Sequence, residues 1–217
     1  MKKNGLIRWI CWIFIFGVAM GLAEAAVVLY LRMIYYPGGF EFPLKFIADQ
    51  EIIIEVYREM ATIFMLLSFS ALAGKSPLER FSCFIMSFGI WDIFYYVWLK
   101  VLLDWPATLF DWDILFLIPV PWIGPVIAPV SVSILLILSG IIIAAQYKKG
   151  RDMRFTLFSI ILALTGSMVI LYSFMYDTGA TLQQQMPEPY RYDLLVIGEL
   201  LLIACFTVSY REMLKRK

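Results

Sequence analysis

The chain has 217 residues, 62% of them hydrophobic, with a mean hydropathy of +0.81 and a net charge of +1. Soluble domains average roughly 45–50% apolar residues, so a water-soluble fold of this size could not hide its apolar surface, and the lipid bilayer must cover part of it. The near-zero net charge argues against a nucleic-acid partner, and the absence of histidine removes imidazole bases, His-ligated haem and His-containing zinc sites.

A spanning helix needs about 20 residues, and six segments of one domain, residues 1–217, qualify. The fold class expected is an all-α integral membrane protein, a bundle of six transmembrane helices. The first is about 7–34, inside an apolar run from Leu6 to Tyr36. That run exceeds the roughly 7–15 residues of a signal-peptide core, so it reads as a retained span, with cleavage within it as the alternative. Gly17, Gly21 and Ala25 place small residues on one stripe, suited to close helix approach, with Glu24 beside it.

The second span is about 51–73. Glu51, Glu55, Arg58 and Thr62 follow the spacing of one helical face, and Glu59 borders it. The third span is about 82–103, where Asp92, Tyr96 and Lys100 recur every four residues with Tyr95 beside them. A charge at mid-membrane costs about 2.5–3.5 kcal/mol on insertion scales, so each of these groups needs a partner, a proton or water.

Residues 114–146 hold no charged side chain and as one helix would be about 50 Å long, more than a hydrocarbon core of about 30 Å. Pro119, Pro121, Gly124, Pro125 and Pro129 divide them. The expectation is a Pro-broken re-entrant or interfacial element over 114–121, then a fourth span from about Trp122 to Gln146. The fifth span is about 155–176 and the sixth about 193–210, with Glu199 following Gly198. Between them, 177–192 reads as a polar outer loop, either a lid or a solvated linker.

Orientation follows from the basic residues. Thirteen of the eighteen fall on one face: Lys2, Lys3, Arg8, Lys75, Arg80, Lys148, Lys149, Arg151, Arg154, Arg211, Lys215, Arg216 and Lys217. The opposite connections carry Glu41, Asp49, Asp104, Asp111, Asp113, Asp177, Glu188 and Asp193 against Lys45 and Arg191. Both termini are therefore expected in the cytoplasm, and the inner (plasma) membrane of a bacterium is the expected location.

This orientation puts Glu24, Glu55, Arg58, Glu59, Asp92 and Glu199 in the outer half or near mid-membrane, with Arg32 and Lys100 snorkelling to the boundary. Carboxylates outnumber the deep cation, Arg58, and the surplus must be protonated, hydrated or metal-bound. A buried salt-bridge network that fixes helix register is the structural alternative. The candidate binding or proton-relay residues are Glu24, Glu55, Arg58, Glu59, Asp92, Tyr95, Tyr96 and Glu199, with Asp92 and Glu59 exchanging protons and Tyr95 and Tyr96 orienting a ligand. Asp111-x-Asp113 is a weak metal motif, and Asp113 before Ile114 also fits a helix N-cap. Cys11, Cys83 and Cys205 read as small apolar filler, and no cofactor is expected.

Three functions fit these residues. The first is a proton-coupled carrier or permeation pathway for a small solute or ion. The second is a non-catalytic subunit bound to another membrane protein or to a second copy of itself. The third is an enzyme acting on a lipid-like substrate at the outer leaflet.

Overall fold

A computed structural model describes residues 3–45 and 49–215. Of the charges assigned above to the two faces, Lys2, Arg216 and Lys217, and the side chains of Lys3 and Asp49, lie outside the described residues. The chain is mostly helical: α1 (Lys3–Tyr35), α2 (Asp49–Ala73), α3 (Pro77–Leu103), β1 (Trp112–Phe116), β2 (Trp122–Pro125), α4 (Ile127–Lys148), α5 (Leu157–Met175), α6 (Thr178–Leu182) and α7 (Tyr192–Lys215).

Local chemistry sets the boundaries. Ser76 caps α3 by accepting the Glu79 N–H at 3.2 Å, Pro77 follows it, and Glu79 reaches back to the Lys75 N–H at 2.9 Å. The pattern is a variant of the capping box in which Glu79 reaches the residue before the cap. Asp104, in the left-handed region at φ 55, ends the helix. Thr156 caps α5 by accepting the Ser159 N–H.

Five helical stretches are long and apolar enough to cross a membrane: Gly5–Tyr35, Pro77–Leu103, Ile127–Lys148, Leu157–Leu182 and Tyr192–Lys215. They are compatible with an integral membrane protein. Large apolar side chains line their surfaces, Leu157, Leu164 and Met168 among them, and lipid is the solvent that tolerates this. The second expected span, α2, is not among the five; its first half holds Glu51, Glu55, Arg58 and Glu59.

Helix α3 is the hub, packed against α1, α4 and α2, while α5 pairs with α7. Small residues let the backbones close in. A Cβ on Gly21 would meet the Phe94 and Tyr95 backbone at 2.9 Å, and one on Gly166 would meet the Gly198 carbonyl oxygen at 2.8 Å. Apolar clusters fill these seams: Ile13, Cys83, Met86 and Ile90 between α1 and α3, and Ala128, Ile170, Phe174 and Leu195 where α4, α5 and α7 meet.

The element before α4 moves the start of the fourth helix relative to the sequence expectation. The Pro-broken element expected over 114–121 belongs to an antiparallel β-hairpin over residues 112–125, with Asp113 opposite Gly124 and Ile114 opposite Ile123. Ile118 and Val120 each precede a proline, which pushes both toward extended backbone and makes 117–121 a connection between strands. Helix α4 consequently starts at Ile127, not near Trp122, with Pro129 in its first turn, where a missing N–H costs no hydrogen bond. The hairpin lies at the end of the bundle where α1 and α3 finish and α2, α4 and α7 begin. The described basic residues Lys75, Arg80, Lys148, Lys149, Arg151 and Arg154 lie in the connections and adjoining helix ends at the other end. There Lys148 pairs with the buried Glu79.

Candidate functional site

Helices α1 and α2 meet at the end away from the hairpin and part toward it. Trp9 donates its indole N–H to the Ala73 carbonyl at 3.0 Å, and the Phe16 and Phe69 rings stack at 3.8 Å between centroids. Farther along, charge bridges the gap. Arg58 Nε donates to Glu55 Oε2 at 2.7 Å, and Arg58 Nη1 donates to Glu24 Oε1. Thr62 Oγ1 lies 3.4 Å from Glu24 Oε2. The Gly17–Gly21–Ala25 stripe faces α3, which turns the neighbouring Glu24 toward α2.

A second cluster joins α1 to the hairpin. Arg32 Nη2 donates to Asp113 Oδ1 at 2.8 Å, and the Tyr95 hydroxyl of α3 donates to Asp113 Oδ2 at 3.3 Å. Arg32 is 6% and Asp113 2% exposed. The guanidinium carbon sits 4.1 Å from the Phe40 ring centre and 3.7 Å from that of Trp105, a cation–π sandwich. Burial pushes the Asp113 carboxyl above its ordinary range, and the Arg32 charge opposes the rise. The expected N-cap role for Asp113 is thus replaced by a buried ion pair, because Asp113 sits in β1. Arg32 does not snorkel: its counter-ion and two aromatic faces hold it inside.

Glu59 does not pair with Arg58. It is 5% exposed and takes the Leu117 backbone N–H at 3.1 Å (Oε1) and 2.9 Å (Oε2). Leu117 lies in the connection between β1 and β2, so Glu59 ties the hairpin tip to α2.

Between these clusters lies a cavity of about 360 Å³. Glu51, Glu55, Arg58 and Glu59 of α2 form one wall, and Arg32, Tyr35, Val28 and Leu31 of α1 another. Tyr95, Asp113 and Leu117 contribute from α3 and the hairpin, and Phe40 and Lys45 from the α1–α2 connection. Thr181, Leu182 and Gln184 complete it, so the 177–192 segment, which includes α6, reaches the cavity rather than running free of it. Thr178 ties this segment to the hairpin through the Pro121 carbonyl at 2.9 Å.

The remaining candidates are placed elsewhere. Asp92 is not a cavity wall; it accepts the Ser133 hydroxyl of α4 at 2.8 Å. Tyr96 is buried, its ring 4.8 Å from that of Tyr95 and 6.4 Å from that of Trp105. Glu199 lies on α7, after the glycine that packs on α5, with its Oε1 buried and without a hydrogen-bond partner. Asp111 accepts the Ala107 N–H at 2.7 Å and the Thr108 hydroxyl at 2.7 Å, closing its own loop, and so does not share a ligand position with Asp113. No group of three or more Cys, Asp or Glu side chains is arranged to hold a metal among the described residues.

Several wall residues escaped the sequence reading. Glu51 was legible on the α2 face by its four-residue offset from Glu55. Phe40, Lys45 and Leu117 sit in connections whose folding no local periodicity reveals. No family model, curated protein or solved structure matches the chain.

Proposed function

We propose that the chain is a proton-coupled carrier of a small solute, with six spans and both termini in the cytoplasm of a bacterial inner membrane. One observation carries this reading: charged groups of α1, α2 and the hairpin converge on a cavity of about 360 Å³ instead of closing into a dry interface. Ligand pockets of roughly 300–1,000 Å³ are the usual range. A purely structural clasp would leave no such space.

The topology has its own support. The α2 helix has 25 residues and is about 37 Å long, enough to cross, and its charges turn toward Glu24 and the cavity rather than toward lipid. With the basic connections in the cytoplasm, the hairpin and cavity face outward.

In this mechanism Glu59 takes up the coupling proton from the cavity. Protonation removes the charge that holds the Leu117 N–H and so loosens the hairpin tip. Arg58 keeps Glu24 and Glu55 balanced while this happens, and Tyr95 borders the bound solute. Asp92, one helical turn before Tyr95 and Tyr96, is the second exchange site.

The test uses the purified chain in liposomes with a trapped pH-sensitive dye, challenged from outside with amino acids, amines, phosphoesters and inorganic ions. The expected result is a proton flux that accompanies one class of solute and disappears in Glu59→Gln. A wild-type protein that moves neither solute nor proton across that panel overturns the carrier reading.

A further inference from the structure

Two residues that line the cavity, Arg32 and Glu51, each keep a buried polar atom of opposite character without a hydrogen-bond partner. Arg32 Nη1 is buried without a hydrogen-bond partner, although Nη2 is committed to Asp113. Arg32 is 6% exposed and clamped between Phe40 and Trp105, so the guanidinium cannot swing to find another acceptor. Across the same cavity wall system, Glu51 Oε2 is also buried and without a partner. Buried donors and acceptors are nearly always completed, and a charged one left open at a cavity is a position that a ligand or ordered water completes.

The two vacancies demand different chemistry. Arg32 Nη1 is a charged donor and calls for an oxyanion. Glu51 is an acceptor and calls for an ammonium group. An anion alone would meet Glu51, Glu55 and Glu59 on the α2 wall. A cation alone would meet Arg32, Arg58 and Lys45. A molecule that carries both charges avoids both repulsions and can answer both groups.

We propose that the cavity binds a zwitterion, its oxyanion on Arg32 and its ammonium on Glu51. This rests on the carrier reading, for which it names the solute class. Two sources supply the chemistry: a free amino-acid-like or phosphoethanolamine-like solute, and the headgroup of a phosphatidylethanolamine entering from the membrane. Val28, Leu31 and Ile52 offer apolar wall for the carbon part of either.

The experiment measures binding to the full chain in phosphatidylglycerol nanodiscs by calorimetry, with four probes: phosphoethanolamine, glycine, inorganic phosphate and ethanolamine. Phosphoethanolamine is expected to bind at least about tenfold more tightly than phosphate or ethanolamine, with glycine competing, since a charge-assisted hydrogen bond is worth that factor or more. Glu51→Gln should weaken phosphoethanolamine about tenfold and leave phosphate within about twofold. Arg32→Lys keeps the charge but loses the planar fork whose second nitrogen faces away from Asp113, and should weaken phosphoethanolamine while sparing ethanolamine. Equal affinity for either half-molecule overturns the proposal. So does an unchanged affinity in Glu51→Gln, or no binding of either zwitterion. Repeating the titration in phosphatidylethanolamine nanodiscs separates the sources: lost binding of the soluble probe assigns the site to the headgroup, and undiminished binding assigns it to a free solute. Zwitterion binding without proton flux in liposomes sinks the carrier reading alone. Proton flux driven by another solute class, with no zwitterion bound, sinks this inference alone.

Discussion

Glu59 of α2 holds the backbone N–H of Leu117, at the tip of the β-hairpin, with both carboxylate oxygens, at 2.9 and 3.1 Å. One side chain thus couples the charged wall of the cavity to the element that roofs it. A neutral acceptor keeps such a bond but makes it weaker, because charge-assisted bonds are roughly twice as strong.

Glu59→Gln should therefore preserve the fold, and Glu59→Ala should free the hairpin tip. An unsatisfied, partly buried N–H costs about 1–3 kcal/mol, which corresponds to opening rates raised about tenfold or more. Hydrogen exchange read by mass spectrometry over 112–125 checks this. Faster exchange confined to the hairpin in the Ala variant, with the Gln variant between it and wild type, is the expected pattern. Equal protection in all three would mean that strand pairing and the Arg32 and Thr178 contacts hold the hairpin without Glu59.

The Arg32–Asp113 pair is nearly inaccessible to solvent, so its loss should behave unlike loss of a surface bridge. Removing one partner of a buried pair leaves an uncompensated charge and costs about 3–5 kcal/mol. Asp113→Asn and Arg32→Gln should each destabilise by about that amount, and the double variant by clearly less than the sum. A thermal or denaturant unfolding series on the four proteins reads the coupling directly. Additive losses would show that the two groups act independently and that the aromatic sandwich, not Asp113, fixes Arg32.

Much of this architecture follows from simple lengths and costs. Runs such as 7–34 and 155–176 are apolar for long enough to be helices that need lipid, and α1 and α5 occupy them. The sequence leaves Arg58 as the counter-ion of Asp92, Glu59 or Glu24 alike, and only the fold selects Glu24. The hairpin was not legible, because 114–125 has neither charges nor a clean alternation, and its prolines are as consistent with a broken helix as with a turn. Arg32 was misread for a related reason. Its sandwich needs Phe40 and Trp105, far apart in sequence, and only the fold brings them together. Asp92 shows the limit of spacing arguments. The stripe with Tyr96 places it on a helical face, but the face meets Ser133 of α4 rather than the cavity.

The seam between α1 and α3 should be intolerant of size. A Cβ on Gly21 would lie 2.9 Å from backbone atoms of Phe94 and Tyr95, which cannot move aside as a flexible side chain would. Gly21→Ala should cost about 1–3 kcal/mol as an overpacked contact, and Gly21→Leu more. Gly38→Ala serves as the control, since nothing lies within 4 Å of its added Cβ. Detergent-solubilised thermal stability separates them: a lowered melting temperature for Gly21→Ala with Gly38→Ala near wild type supports the seam. Because Glu24 follows this stripe, Gly21→Leu should also loosen the Arg58 bridge and weaken any ligand held in the cavity.

Orientation decides whether the cavity meets the outside, and two exposed positions read it. Lys149 follows α4 at the end opposite the hairpin, and Gln183 follows α6 beside the cavity. In a background with Cys11, Cys83 and Cys205 replaced by Ala, Gln183→Cys should react with a membrane-impermeant maleimide on intact cells. Lys149→Cys should react only after permeabilisation. The positive-inside rule demands this order, since Lys148, Lys149, Arg151 and Arg154 crowd one short connection. The reverse pattern would place the hairpin and cavity in the cytoplasm. Glu59 would then draw its proton from the cytoplasmic side, and the same ion-pair geometry would serve export in place of uptake. Labelling at both positions in intact cells would instead indicate an even number of crossings between them, which requires α5 with α6 not to span as one unit.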